Sequence, residues 1–282
     1  TDTGRATSGA AMALLGKIYL TFHKWTEARN VLSQLVGRYS LMTTPEQVFD
    51  VNNKMNDEII FAVRFNKDVE GEGHGYWFSI INLTDDQTKS LKECYKDGDK
   101  RKNLITYVKV EDKVCVMNKF KDVKSATYNT VGNDQIILRY ADVLLMYAEA
   151  LNESQESPTQ DVYDYVDLVR ERAGLKGVKE SWSKYSKSPD KPNTKNGMRE
   201  IIRMERLNEL ACEGKRFWDL RRWKKELPRE VKGWHIQGET AQEFYRVTTI
   251  YLRSKYSYKD YLWPLKLETI LKDPNLVQNP GW

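Results

Sequence analysis

Two groups of residues in this chain carry enough chemistry to define a site. The first is aromatic. In "KDVEGEGHGYWFS" three glycines open a loop and set His74, Tyr76 and Trp77 at or near its tip. A flat aromatic face stacks on the C–H side of a sugar ring, while imidazole and phenol groups bond its hydroxyls. The competing structural reading sends Trp77 and Phe78 inward as the start of the next element. The nearby "DDQTKS", residues 85–90, offers further hydroxyl-binding groups or, equally, the cap of a helix leading to Cys94. A second aromatic segment, "GWHIQGE", is expected to be an exposed loop presenting Trp234 and His235.

The second group is charged. "IILRYADVLLMYAEALNE", residues 136–153, reads as one helix that keeps Arg139, Asp142 and Glu149 among residues suited to burial. At 100° per residue, Arg139, Asp142, Met146, Glu149 and Glu153 share a stripe of roughly 80°. A later helix, "GMREIIRMERLNELACEG", carries Arg199, Arg203 and Arg206 on one side and Glu205, Glu209 and Glu213 on another. The complementarity predicts buried arginine–carboxylate pairs between the two helices, with Glu149 against Arg203 or Arg206 as the leading pair. Such pairs fix helix register more than they add stability, because desolvation offsets the Coulomb attraction.

These acids are weak candidates for catalysis. An arginine partner keeps a carboxylate ionised and therefore poor as a general acid. A glycosidase pair would need two carboxylates about 5–9.5 Å apart in an open cleft, one with a raised pKa. The chain has no GxSxG, P-loop or HExxH, and His23, His74 and His235 are unlinked in sequence. "GEGHG" is too short for a dinucleotide fingerprint. Cys94, Cys115 and Cys212 show no CxxC spacing, which argues against a disulfide framework and a structural zinc site. No catalytic residue, metal or cofactor is expected.

The elements that position these groups are mostly helical. In "AAMALLGKIYLTFHKWTEARNVLSQL", Leu15-Gly16 is followed by Tyr19 and then Ala28, the tetratricopeptide pattern. Gly16 and Ala28 are small where two antiparallel helices must touch, and Tyr19 and Leu32 fill the space beside them. "HKWTE" is the turn, with Thr26 as a cap for the second helix. The helix at 136–153 pairs in the same way with "TQDVYDYVDLVRERAG", which Gly174 should stop. "DEIIFAVRFN" and "LITYVKVEDKVCVMNKF" read as strands, the latter with a hairpin turn at "KVEDKV". The chain after Pro228 reads as irregular, and Trp218, Trp223, Trp263 and Trp282 as core.

Composition adds bounds. At 282 residues with 40% apolar and 30% charged residues, the chain has a globular balance, and no apolar run reaches membrane-spanning length. The net charge of +5 is weak evidence for a polyanion, so no nucleic-acid partner is expected. The 8 Trp and 16 Tyr give a generous supply of stacking rings.

Three segments in order, "ILRYADVLLMYAEALNE", "ERLNELACEGKRFWDLRRW" and "YLWPLKLETILKDPNLVQNPGW", resemble the SusD/RagB family of outer-membrane nutrient-binding lipoproteins, as do "RATSGAAMALLGKIYL" and "ECYKDGDKRK". The resemblance implies a mainly α fold, a SusD-like α-α superhelix of tetratricopeptide pairs with a less regular ligand-binding part containing short strands. It implies helices over 1–57, an irregular β-containing insertion with the ligand loop over 58–133, helices over 134–225 and an irregular segment over 226–282. It also implies binding of glycans at the cell surface, an N-terminal lipid anchor and delivery to a TonB-dependent transporter. Family members run longer at the N-terminus, so this chain is expected to begin near their middle repeats. The rival readings are a tetratricopeptide scaffold that binds protein and, behind it, a glycoside hydrolase.

Overall fold

A computed structural model describes residues 4–69, 73, 92–110, 114–122, 131–185, 191–225, 230–235, 246–252 and 262–281. The chain divides into two compact units, Thr1–Gly214 and Lys215–Trp282.

The first unit opens with α1 (Ser8–Thr21) and α2 (Trp25–Leu32). Thr7 caps α1, its hydroxyl accepting the Ala10 N–H at 3.2 Å. Thr26 does not cap α2: the helix starts at Trp25, and the Lys24 carbonyl takes the Ala28 N–H at 2.9 Å. Between the helices, His23 adopts a φ of 56°, the left-handed turn that folds the pair back on itself. Gly16 lies against Leu32 so closely that a Cβ there would fall 2.4 Å from a Leu32 methyl. The small residue is thus what allows the helices to approach.

The apolar run at 136–153 is two elements. Residues Gln135–Arg139 form strand β4, antiparallel to β1 (Ile59–Val63), with Ala62 opposite Ile136 and Ile59 opposite Arg139. Helix α3 begins only at Tyr140 and runs to Ser154. The β-branched Ile136 and Ile137 suit a strand, and the pairing with β1 satisfies the backbone there. Arg139, with φ −141° and ψ 159°, is the extended residue at which strand becomes helix.

Helix α3 is the core of the unit, with buried residues on every side, including Val143, Leu144, Leu145, Ala148 and Leu151. A helix that is apolar all round must be enclosed, and α1, α2, α4 (Gln160–Arg172) and α6 (Lys195–Glu209) pack around it. Between α4 and α6 lies the one-turn α5 (Trp182–Tyr185). Gly174, at φ 83°, ends α4 as expected, its N–H donating to the Glu171 carbonyl at 2.8 Å. A separate hairpin pairs β2 (Tyr107–Val110) with β3 (Val114–Met117).

Helix α6 stops at Glu209 and does not continue to Gly214. Leu210 leaves helical geometry at φ −101° and ψ 17°, and Cys212 and Gly214 take positive φ of 64° and 72°. This turn directs Glu213 back toward the strand end at Arg139.

The second unit contains α7 (Arg216–Arg222), β5 (Glu230–His235), β6 (Arg246–Leu252) and α8 (Leu267–Lys272). The region after Pro228 is therefore less irregular than its composition implies. The β-branched "RVTTIYL" of β6 pairs antiparallel with β5 over its length, with a shift between Val231 and Lys232.

Candidate functional site

The most concentrated chemistry among the described residues is a buried charge cluster centred on Arg139. Its Nε donates to Glu213 Oε2 at 2.9 Å, and Nη1 donates to Glu58 Oε1 at 2.9 Å and Glu209 Oε1 at 2.6 Å. Nη2 donates to the Glu209 carbonyl at 2.8 Å and Glu213 Oε1 at 2.7 Å. All five guanidinium donors are thereby engaged. Arg172 joins Glu58 to Glu209, and Lys119 binds Glu213 at 2.7 Å. Arg101 binds Asp99 at 2.7 Å, Glu205 at 2.5 Å and Glu209 at 3.1 Å, and Arg170 reaches Glu205 at 3.2 Å. The five cations Arg101, Lys119, Arg139, Arg170 and Arg172 are thus matched by five carboxylates, Glu58, Asp99, Glu205, Glu209 and Glu213; nine of these residues are buried, and Glu213 is half-buried with a side chain only 3% exposed.

Charge balance is what makes this burial tolerable. Desolvation works against the ionised form of Arg139, but Glu213, Glu209 and Glu58 outweigh it and hold its pKa well above the ordinary value. Burial pushes Glu209 up, yet Arg172, Arg139 and Arg101 together keep its carboxyl well below the usual range. Glu213 is lowered in the same way by Arg139 and Lys119 against the effect of burial. A carboxylate held ionised cannot deliver a proton near neutral pH. The cluster is a fastener that joins β1, β4, α4, α6 and the segment at 99–119.

The predicted seam between α3 and α6 is present as a neighbouring system. Asp142 accepts from Arg206 at 2.9 Å, and Glu153 accepts from Arg199 at 2.5 Å. Glu149, the acid expected to lead, lies buried between these two pairs, and Arg203 binds Glu200 on its own helix at 2.6 Å. Glu205 and Glu209 face away from the seam, toward Arg101, Arg139, Arg170 and Arg172.

The aromatic candidates are placed differently. His74, Tyr76 and Trp77, with residues 85–90, lie outside the described residues. Trp234 and His235, expected on a loop, close strand β5, where Trp234 pairs with Val247 and His235 with Arg246. Of the tryptophans expected in the core, Trp223 is buried, its ring covered by the guanidinium groups of Arg222 at 4.7 Å and Arg216 at 5.8 Å. Trp218 and Trp263 are instead 60% and 71% exposed, Trp218 having Phe217 edge-on beside it at 5.1 Å. Trp282 lies outside the described residues.

The family profile described as the SusD family matches residues 64–282. The chain belongs to the SusD family. The SusD-like protein P2 of Formosa agariphila is 27% identical over 98% of this chain and 60% of its own length. A SusD-like protein from Bacteroides fragilis, solved by crystallography, superposes with a TM-score of 0.72 at 23% identity, covering 100% of this chain and 66% of that one. Surface glycan-binding protein A from Bacteroides thetaiotaomicron gives 0.67 at 21% identity, covering 99% of this chain and 65% of its own. The chain spans 50–60% of the length of the curated relatives it matches.

In this SusD-family chain, two of the sequence segments that signal the family now have a physical role. "ILRYADVLLMYAEALNE" supplies the hub arginine and the enclosed helix, and "ERLNELACEGKRF" supplies three of the five cluster carboxylates. Sequence reading missed Glu58, Asp99, Arg101, Lys119, Arg170 and Arg172 as cluster members. The one available signal was charge inside short apolar segments, as at Glu58 beside "IIFAV" and Lys119 before Phe120.

Proposed function

We propose that this chain is part of a non-catalytic, surface-exposed glycan-binding protein that passes its ligand to a TonB-dependent transporter, with a lipid anchor supplied outside residues 1–282. The observation that carries this reading is membership of the SusD family, with a surface glycan-binding protein among its structural neighbours. The chemistry of the cluster is consistent with it: the acids a hydrolase would need here are committed to arginines. Recognition then rests on stacking and hydroxyl bonding, without a cofactor. Tyr76 and Trp77 are the proposed stacking residues, with His74 bonding hydroxyls, and Trp234 and His235 form a secondary candidate.

The test is isothermal titration of the natural protein against a polysaccharide panel, beside Tyr76→Ala and Trp77→Ala. One polysaccharide should bind without being shortened, and either substitution should weaken it by about tenfold or more, roughly 1.4 kcal/mol. Cleavage of the bound polysaccharide would overturn the non-catalytic reading. Unchanged affinity in both variants would overturn the assignment of the loop.

A further inference from the structure

Helix α1 is apolar on two opposite faces, and only one of them is covered. Ala10, Ala13, Gly16 and Leu20 are buried on the side where α2 and α3 pack. On the other side Leu14 is 51% exposed, Leu15 38%, Ile18 43% and Phe22, which closes the helix, 71%. At 100° per residue these four and the exposed Ala11 lie within a stripe of about 100°. Lys17 is the one charged residue in Ser8–Thr21. A helix that is apolar all round belongs in an enclosed position, and α3 has one. Helix α1 has the same character but is bare along about three turns of one side.

The bare face is particular to α1. Its partner α2 turns Thr26, Glu27 and Asn30 to solvent. A polar outer face of that kind is what the end of a helical array requires for solubility. An array that ended at α1 would need one there too, and the stripe at 11–22 is the reverse. Contiguous exposed apolar surface rimmed by polar residues marks a contact. A membrane surface suits it poorly, because an interfacial helix carries lysines and arginines on its opposite face. Here the opposite face is the buried one.

The length of the relatives supplies an occupant. This chain covers 60% of the SusD-like protein P2 and 66% of the Bacteroides fragilis structure, so each of them carries a further stretch of chain. At about 34 residues for a tetratricopeptide pair, that stretch has room for more than one. We infer that the outer face of α1 is the docking surface for a further helical pair of this protein's own polypeptide, from the part outside residues 1–282. The contact is apolar. The stripe offers no charge to match, so the incoming helix presents aliphatic or aromatic side chains at helical spacing. Ala11, the smallest residue of the stripe, is where a bulky side chain of that helix can seat. None of this depends on what the protein binds.

The experiment places a photoreactive benzophenone residue at Ile18, and separately at Leu14 on the edge of the stripe, in the natural full-length protein. The result expected is a cross-link within one polypeptide, joining α1 to a peptide outside residues 1–282, as read by mass spectrometry. A product of twice the monomer mass would assign the face to a second copy and overturn the inference. A cross-link to another protein, or to a peptide within 1–282, would overturn it as well. Ile18→Cys tests the same contact with a smaller change. Its thiol should react with a maleimide about a hundredfold or more slowly than that of Asn30→Cys on the polar face of α2, because reaction then needs local opening. Equal rates at the two positions would show that α1 faces water in the natural protein, and the inference would fail.

Discussion

At the scale of single residues, Arg139 shows how position decides what a charged side chain does. Because it stands at the change from strand to helix, its guanidinium meets carboxylates from three other parts of the chain, Glu58, Glu209 and Glu213. Replacing it with methionine leaves three acids without their main counter-charge in a buried site. The expected loss is about 3–5 kcal/mol, the range for breaking a buried ion pair on one side. Arg139→Lys should recover part of this and no more, since an ammonium has three donors and lacks the planar fork. Urea denaturation followed by circular dichroism gives both midpoints. A methionine variant as stable as the natural chain would show that the cluster adds nothing to unit stability. The sequence revealed Arg139 as a misfit in an apolar run and set its segment opposite the later acids, Glu209 and Glu213 among them, but not Glu58. Glu58 lies 81 residues away, and no local spacing encodes such a pairing.

At the scale of elements, legibility followed local geometry. The α1–α2 pair was readable because helix contact imposes a spacing, small at Gly16 and Ala28 and large at Leu32, within one short stretch. The strand at 135–139 was not readable as one, because a short apolar run suits a strand or a buried helix equally well. Its partner β1, some 75 residues earlier by the Ala62–Ile136 pairing, makes the decision. The close approach at Gly16 gives a direct test. Gly16→Ala improves helix propensity by about 1 kcal/mol, yet its Cβ would lie 2.4 Å from a fully buried Leu32. The contact should win and destabilise the unit by about 1–3 kcal/mol. Leu32→Ala alone should lose about 2–5 kcal/mol. The double variant should lose clearly less than the sum, because the new methyl enters space that Leu32 has left. Strict additivity in thermal or urea unfolding would remove Gly16 as the reason the helices approach.

At the scale of the whole molecule, the ten clustered charges all belong to the Thr1–Gly214 unit, and they tie its stability to pH. The folded protein holds Glu209 and Glu213 below their ordinary value of 4.5, against burial and in favour of their arginine and lysine partners. Above that value both are ionised whether folded or unfolded, and the cluster is at full strength. Below it the unfolded chain takes up protons first, so stability falls with falling pH and is lost as pH drops through the depressed folded values. The expectation is a steep acid transition below 4.5 and little change between about pH 6 and 8. Burial makes the transition resistant to added salt, unlike one driven by surface pairs. Hydrogen exchange locates it: amides of α3, enclosed by the helices that the cluster fastens, should lose protection together with those of β4. In Arg139→Met the acid transition should shift to higher pH, because Glu209 and Glu213 lose their shared partner and regain more ordinary pKa values. An acid profile unmoved by that substitution would mean that other carboxylates set the pH limit of the fold.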